Sequence, residues 1–387
     1  MEIVKGWSWW TLALYVLLAL AFAELFRQSV ISKNKGKKIK IFKWEIQLKY
    51  VYYLTIYLIF IIFSSFKYIG NRVGGSDTLN YVKFFNEYGY IHFDFIQTLL
   101  FNSLEYIFYN TMYLIKILGG TFRTFLIIIN SVIIISLIYF IDKEVYDEKK
   151  CIWLVLAFLP LLKSLNIIRN CVAAFIGFIS ISLLNKGKIG WSIIFAIIAF
   201  LNHYISVILF ALIVFYKYFP NRYLEDRKKV IISNIISIVL TIALIPILKL
   251  IIKNTGYAAY LDNIKISLWG YIPYIIIYIL MIADKKFINY LKDCNHYGYY
   301  KMVYFLSLIL PAFIAVNAAY RILLFFELPI ILMSADLMQY YKKYIPKKYT
   351  KIYYIGITIL IFAYYIFRIY RIWNGNCIMP YYNILFM

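Results

Sequence analysis

The chain has 387 residues, 64% of them hydrophobic and 15% charged, whereas soluble domains run at about 45–50% apolar and about 25% charged, so a soluble enzyme is excluded. The formal net charge of +23 comes from 41 Lys and Arg against 18 Asp and Glu. Those cations sit between apolar runs and form no continuous basic face interleaved with stacking aromatics, which argues against nucleic acid as a partner.

Apolar runs of about twenty residues recur along the chain, each long enough to cross a hydrocarbon core of ~30 Å as a helix. The expected fold is all-α, a polytopic integral membrane protein. The first run, Trp7 to Phe26, is followed by no small-residue cleavage pattern and reads as a retained span rather than a signal peptide. The next stretch carries Arg27, Lys33, Lys35, Lys37, Lys38, Lys40, Lys43 and Lys49 against Glu45, so the positive-inside rule makes it cytoplasmic and the N-terminus external. Tyr50 to Tyr68 then exits. Phe93 to Gly120 is less apolar, with Asp94, Gln97, Asn102, Glu105, Asn110 and Lys116. It reads as amphipathic outer-face structure within a segment at about residues 70–120.

Phe122 to Ile141 returns to an inner connector with Lys143, Lys149 and Lys150; Cys151 to Ile168 exits, and Asn170 to Leu184 comes back to the turn Asn185-Lys-Gly-Lys188. The apolar stretch from Ile189 to Phe219 is interrupted at Asn202-His203 and followed by Lys217, Arg222, Arg227, Lys228 and Lys229. That connector belongs inside, so the stretch should cross as two short helices turning near His203. Ile231 to Leu250 exits, Leu268 to Ala283 enters, Met302 to Ala319 exits, Arg321 to Met338 enters and Ile352 to Tyr370 exits. The sum is about twelve crossings, within a range of roughly ten to fourteen because the shortest helices barely span. Both termini are expected outside, and residues 1–387 form one transmembrane domain with no linker or repeat. The four scattered cysteines show no metal-ligand spacing and read as structural thiols.

Charge in or near hydrocarbon costs several kcal/mol, so polar residues interrupting apolar runs mark cavities or substrate paths. Four stand out: Arg72, opening Arg72-Val-Gly-Gly-Ser-Asp77; Arg169, in Asn166-Ile-Ile-Arg-Asn170; His203; and Arg321. All fall at the outer ends of their spans. The bland readings are headgroup-anchoring arginines and a satisfied core histidine, but independent anchors would be spread over both faces. Read together, three guanidiniums, each a planar fork for phosphate oxygens, surround one imidazole suited to proton transfer. That set suits a diphosphate-bearing lipid. Asp77 and Glu105 are single carboxylates, read equally as counter-ions, sugar-hydroxyl ligands or solvated loop residues. No GxSxG, HExxH, DxD or P-loop occurs; no metal and no cofactor are expected.

These residues resemble the Wzy-type O-antigen and exopolysaccharide polymerases, in the EpsG-like branch. The matching features are Arg72-x-Gly74-Gly-Ser-Asp77-Thr-x-x-Tyr81, Leu104-Glu105-Tyr-x-Phe108 followed by Lys116-x-x-Gly119-Gly120, Arg169-Asn170-x-x-Ala173, Asn202-His203-Tyr-x-Ser206, Tyr320-Arg321 and a closing Pro380-Tyr381, in the family's order along most of the chain. The family commonly has Gln at Asn170, Gly at Ser76 and Pro at Tyr106, the last of these departures falling at the turn after Glu105.

The resemblance implies a membrane-glycosyltransferase (GT-C-like) fold in the bacterial inner membrane, working at the periplasmic face on undecaprenyl-diphosphate-linked repeats, with a chain-length regulator and a flippase of the same pathway as partners. On it, Arg169, Arg321 and Arg72 are expected to hold the diphosphate. His203 would be the general base with Asp77 in reserve, and Glu105, Asn170, Asn202, Tyr81 and Tyr320 further site candidates. The competing readings are a lipid-linked oligosaccharide flippase and a membrane O-acyltransferase.

Overall fold

The computed structural model describes residues 8–70, 74–87, 105–252, 272–315, 319–376, 378–379 and 381–385. Helix α1 (Trp9–Asn34) starts where the Ser8 hydroxyl accepts the Thr11 N–H at 3.2 Å, an N-cap that satisfies a donor the helix cannot. It runs eight residues past the expected end at Phe26, because Arg27 pairs with Glu24 one turn back at 2.7 Å and keeps the polar extension helical. A two-stranded antiparallel hairpin follows, β1 (Lys38–Ile41) and β2 (Trp44–Gln47), before α2 (Leu48–Ser65). The rest of the described chain is helical as expected, and this small hairpin is the one addition to it among the described residues.

Next come α3 (Ser76–Glu87), α4 (Tyr106–Ile117) and α5 (Phe122–Glu144). The expected crossing from Cys151 to Ile168 is split: a tight turn over Glu148–Trp153 leads into α6 (Leu154–Lys163), and a short turn separates it from α7 (Ile168–Asn185). The Ile189 to Phe219 stretch forms two short helices, α8 (Ile189–Asn202) and α9 (Val207–Tyr218), which part at His203. Then α10 (Arg227–Ile252), α11 (Ile272–Ala283), α12 (Lys285–Asp293), α13 (Tyr297–Ala315), α14 (Glu327–Lys342) and α15 (Thr350–Asn376) complete the longer described helices, with short helical turns at Asn221–Leu224 and Ala319–Leu323. Among the described residues six helices are long and apolar enough to cross a membrane, and two shorter apolar ones, Ile189–Asn202 and Tyr204–Tyr218, adjoin them. The protein is a polytopic helical membrane protein.

Helix α7 is the hub, packed on α5 and α8, and α14 is almost wholly enclosed. By contrast α10 and α15 turn rows of Ile and Leu outward, among them Ile231, Ile235, Ile238, Ile242, Ile355 and Ile359, as lipid-facing helices do.

The Lys-rich connectors gather at one end of the bundle. Asp142 accepts from Lys49 at 3.1 Å and Tyr53 at 2.9 Å with Lys33 beside it, joining α1, α2 and α5. Glu144 pairs with Lys186 at 2.6 Å, and Lys292 on α12 reaches Glu225 at 2.6 Å, which ties that helix to the 217–229 connector. Asp336, fully buried, faces Lys150 on one oxygen and His296 Nδ1 at 2.6 Å on the other.

The opposite end is closed by chain segments distant in sequence. Residues 381–385 fold back across α1 and α2: the Tyr68 N–H donates to Tyr382 at 2.8 Å, the Ile384 N–H to Phe66 at 2.9 Å, and the Asn383 amide to the Ile62 carbonyl at 2.9 Å. Tyr381 stacks on Phe63 with centroids 4.7 Å apart. Just beyond, Gly75 takes φ +101°, and a Cβ there would stand 2.3 Å from the Leu165 carbonyl oxygen. Backbone therefore lies on backbone, and Thr78 donates to that same carbonyl at 2.8 Å.

Two outcomes follow for reversible unfolding of the detergent-solubilised protein. Gly75→Ala should cost about 1–3 kcal/mol in strain plus the clash with Leu165, clearly more than Gly119→Ala, whose positive φ faces open space. Asp336→Asn should cost about 3–5 kcal/mol by stranding buried Lys150, whereas Asp226→Asn, whose side chain is 40% exposed, should cost far less. Equal effects within either pair would show that the contact does not hold the fold.

Candidate functional site

At the end opposite the lysine-rich connectors, four elements bring polar side chains to one place. Gly74-Gly75 lays the start of α3 on the α6–α7 turn, where the Asp77 N–H donates to Asn166 Oδ1 at 2.7 Å. Lys67, buried, supports this seat by donating to Thr78 at 3.2 Å and to the Leu165 carbonyl. Arg169 stands in the first turn of α7. Glu105 immediately precedes α4 and makes no capping bond with its side chain, so its carboxylate is available to the interior. Tyr106 opens that helix where the family commonly has Pro, and the turn forms all the same.

The Glu105 carboxylate, 3% exposed, is shared. One oxygen accepts from Arg169 Nη1, and the other faces His203 Nδ1. Arg169 also donates from Nε to Tyr81 at 3.1 Å and from Nη1 to Tyr109 at 2.7 Å. Its guanidinium lies over both rings, 5.3 and 5.6 Å from their centroids. Held by a carboxylate, two phenols and two π faces, it keeps Nη2 without a bond among the described residues, on a side chain that is 29% exposed.

His203 ends α8 in extended conformation, with φ −159° and ψ 123°, which swings its ring out of the helix path and toward Glu105. Arg321 acts electrostatically on both Asp77 and His203, as does Arg169. Burial pushes the Asp77 carboxyl above its ordinary range, against the lowering pull of those two arginines.

Of the four residues singled out by sequence, Arg169 and His203 therefore meet through Glu105, with Tyr81 on the guanidinium, and Arg321 and Asp77 stand within electrostatic range of them. Arg72 lies outside the described residues, as does the side chain of Tyr320. Asn170 is buried, and neither atom of its amide is hydrogen-bonded among the described residues, a state that native interiors seldom leave without a partner. Asn202 donates to the Ile198 carbonyl at 2.8 Å, a bond within its own helix. Two of the three guanidinium nitrogens of Arg169, Nε and Nη1, are engaged inside the protein by Tyr81, Glu105 and Tyr109.

Tyr109 lies outside the set that the sequence singles out. Its signal is the Glu105-x-x-x-Tyr109 spacing, which sets Tyr109 one helical turn on from the residue at the N-cap of α4. A second buried pair, Lys163 with Glu327, lies at 8% and 4% side-chain exposure, with Arg368 Nη2 4.0 Å from the same carboxylate. Its partners are 164 residues apart, and no local pattern announces it. Among the described residues no three His, Cys, Asp or Glu side chains come together as a metal site would need.

A search of curated proteins and a search of solved structures each return no match. The profile of the EpsG family matches residues 50–383, a range that holds every residue of the cluster described above. The chain therefore belongs to the EpsG family, of polysaccharide-polymerase-type membrane proteins.

Proposed function

We propose that the protein is a GT-C-like polysaccharide polymerase. It transfers a growing glycan from undecaprenyl diphosphate to the non-reducing-end hydroxyl of a new lipid-linked repeat, at the periplasmic face of the inner membrane. The observation that carries this reading is the Glu105 carboxylate shared between Arg169 and His203, at the end of the bundle remote from the lysine-rich connectors. By the positive-inside rule those connectors are cytoplasmic, which makes the shared carboxylate periplasmic, where lipid-linked repeats are polymerised.

The chemistry follows from the hydrogen bonds. With Glu105 accepting from Nδ1–H, His203 keeps a lone pair on Nε2 and acts as the base that takes the proton of the attacking hydroxyl. As that oxygen bonds to the anomeric carbon, the bond from carbon to diphosphate oxygen breaks and the lipid diphosphate leaves with its charge. Arg169 Nη2 and Arg321, joined by Arg72, stabilise that charge. The Glu105, Tyr81 and Tyr109 contacts hold the guanidinium still beforehand, so little reorganisation accompanies the reaction. Asp77 takes sugar hydroxyls or serves as reserve base, and the buried amide of Asn170 finds its partner in a substrate hydroxyl. A chain-length regulator and the pathway's flippase are the proposed protein partners.

Deletion with glycolipid profiling separates the alternatives: a polymerase mutant retains one repeat on its acceptor, a flippase mutant none, and an acyltransferase mutant full-length chains lacking an acyl mass. With protein levels matched, Arg169→Lys should lose ~2–4 kcal/mol of leaving-group stabilisation, roughly 30- to 1000-fold in rate, and should bind lipid-linked repeat more weakly. His203→Ala should slow transfer by about 10²–10⁴-fold while repeat binding persists, and Glu105→Gln should slow it similarly and also weaken binding, because Arg169 loses its charged partner. Normal amounts of long-chain product from Arg169→Lys would reduce that residue to a structural cation.

Orientation is open to direct measurement in cells, with Cys294 and Cys377 replaced by serine. A cysteine at Lys83 on α3 should label with an impermeant thiol reagent, and one at Tyr223 should stay unlabelled. The reverse pattern would invert the protein in the membrane and remove the periplasmic assignment.

A further inference from the structure

The β1–β2 hairpin takes no part in the site, and its make-up is not that of a simple connector. The register pairs Lys38 with Gln47, Ile39 with Ile46, Lys40 with Glu45 and Ile41 with Trp44. Because cross-strand partners share a face and successive residues alternate, one face is polar and the other carries Ile39, Ile46 and Trp44. Trp44 is 75% exposed, and Phe42 at the tip is 92% exposed. Lys35, Lys37, Lys38, Lys40 and Lys43 are all exposed around them, against the single acid Glu45.

The tip is strained as well. A two-residue hairpin loop with positive φ at its first position calls for Gly or Asn, yet this loop is Phe42-Lys43 and Phe42 holds φ +53°. A bulky side chain is costly in that region. An isolated two-stranded hairpin is marginal in water, so this one, with an uncovered apolar face and an unfavourable turn residue, needs something to lie against.

Its position limits what that can be. β1 starts four residues after α1 ends, and β2 runs directly into α2. Both helices are long and apolar enough to cross a membrane, so the hairpin is held at the level where two spans leave the bilayer. At the far end of α1, Trp9 and Trp10 are exposed; the 26-residue helix rises ~39 Å, which carries its other end past a ~30 Å hydrocarbon core and into the headgroups. Tryptophans at both ends match the aromatic belts of the two interfaces.

We infer that the hairpin is an interfacial wedge that reads anionic lipid. Its Ile39–Trp44–Ile46 face and the Phe42 ring enter the boundary between headgroups and acyl chains, and the surrounding lysines take the lipid phosphates. Charge complementarity selects the occupant: five lysines beside an aromatic tip suit an anionic bilayer surface.

The test uses the full chain in vesicles of phosphatidylcholine with or without phosphatidylglycerol, with Cys294 and Cys377 replaced by serine and a nitroxide at Ile39→Cys. Collision with oxygen reports insertion, and collision with a water-soluble nickel chelate reports exposure. Insertion is expected with phosphatidylglycerol and should weaken on the order of fivefold for each lysine changed to Gln. Phe42→Gly separates the roles of the tip. It relieves the backbone, so a purely structural tip predicts a hairpin at least as well formed and equally inserted, whereas the wedge predicts insertion roughly tenfold or more weaker. Nickel access in both vesicle types, or full insertion by Phe42→Gly, would overturn the proposal. So would shielding from both reagents without phosphatidylglycerol, which would point to a covering protein surface instead.

Discussion

An ion taken out of water costs several kcal/mol unless a partner comes with it, and that cost sorts the charged residues of this chain into layers. Most carboxylates near the lysine-rich end are claimed by basic groups: Asp142 by Lys33 and Lys49, Glu144 by Lys186, Asp336 by Lys150 and His296. These contacts gather the ends of helices far apart in sequence and leave the lipid-facing flanks of α10 and α15 apolar. The same economy of charge at the other end produces something different, because there Glu105 divides one carboxylate between a fixed guanidinium and an imidazole.

That division links two tasks which proximity alone would leave separate. If Glu105 shifts, the orientation of Arg169 and the hydrogen bonding of His203 change together, so the two tasks proposed for them are coupled through one side chain. The coupling rests on backbone placement: Glu105 sits just ahead of α4, Arg169 in the first turn of α7 and His203 just after α8. Helix boundaries give a side chain directions that a helix interior does not offer.

The membrane-spanning character is legible because a run of twenty apolar residues matches the hydrocarbon thickness and would be insoluble anywhere else. Arg169, His203 and Arg321 are legible for the converse reason, since a charge interrupting such a run is costly without a partner. Tyr109 is hidden in a chain with 40 tyrosines, where residue type carries little information. The hairpin is signalled by Lys38-Ile39-Lys40-Ile41, which has the two-residue alternation of a strand, but the same lysines also mark a cytoplasmic connector, and that stronger signal masks the weaker one. Lys67 looks like the polar boundary of a span and is instead a buried tether, a role set by the Leu165 carbonyl that folding brings to it. Contacts of that kind are absent from any local window of sequence.

The return of residues 381–385 over α2 bears on the order in which this molecule is made. The Asn383–Ile62 contact joins residues 321 positions apart, and the Tyr68 N–H that leads toward Gly74-Gly75 finds its acceptor at Tyr382. A ribosome releases these late residues long after the early helices have entered the bilayer, and contacts so distant in sequence are slow to form. The contacts of Lys33 and Lys49 with Asp142 can form while later helices are still being made, whereas the opposite end of the bundle stays open until residues 381–385 have been made. Assembly order then gives the cell an interval in which the early helices are inserted but the end that holds Glu105, Arg169 and His203 is not yet closed.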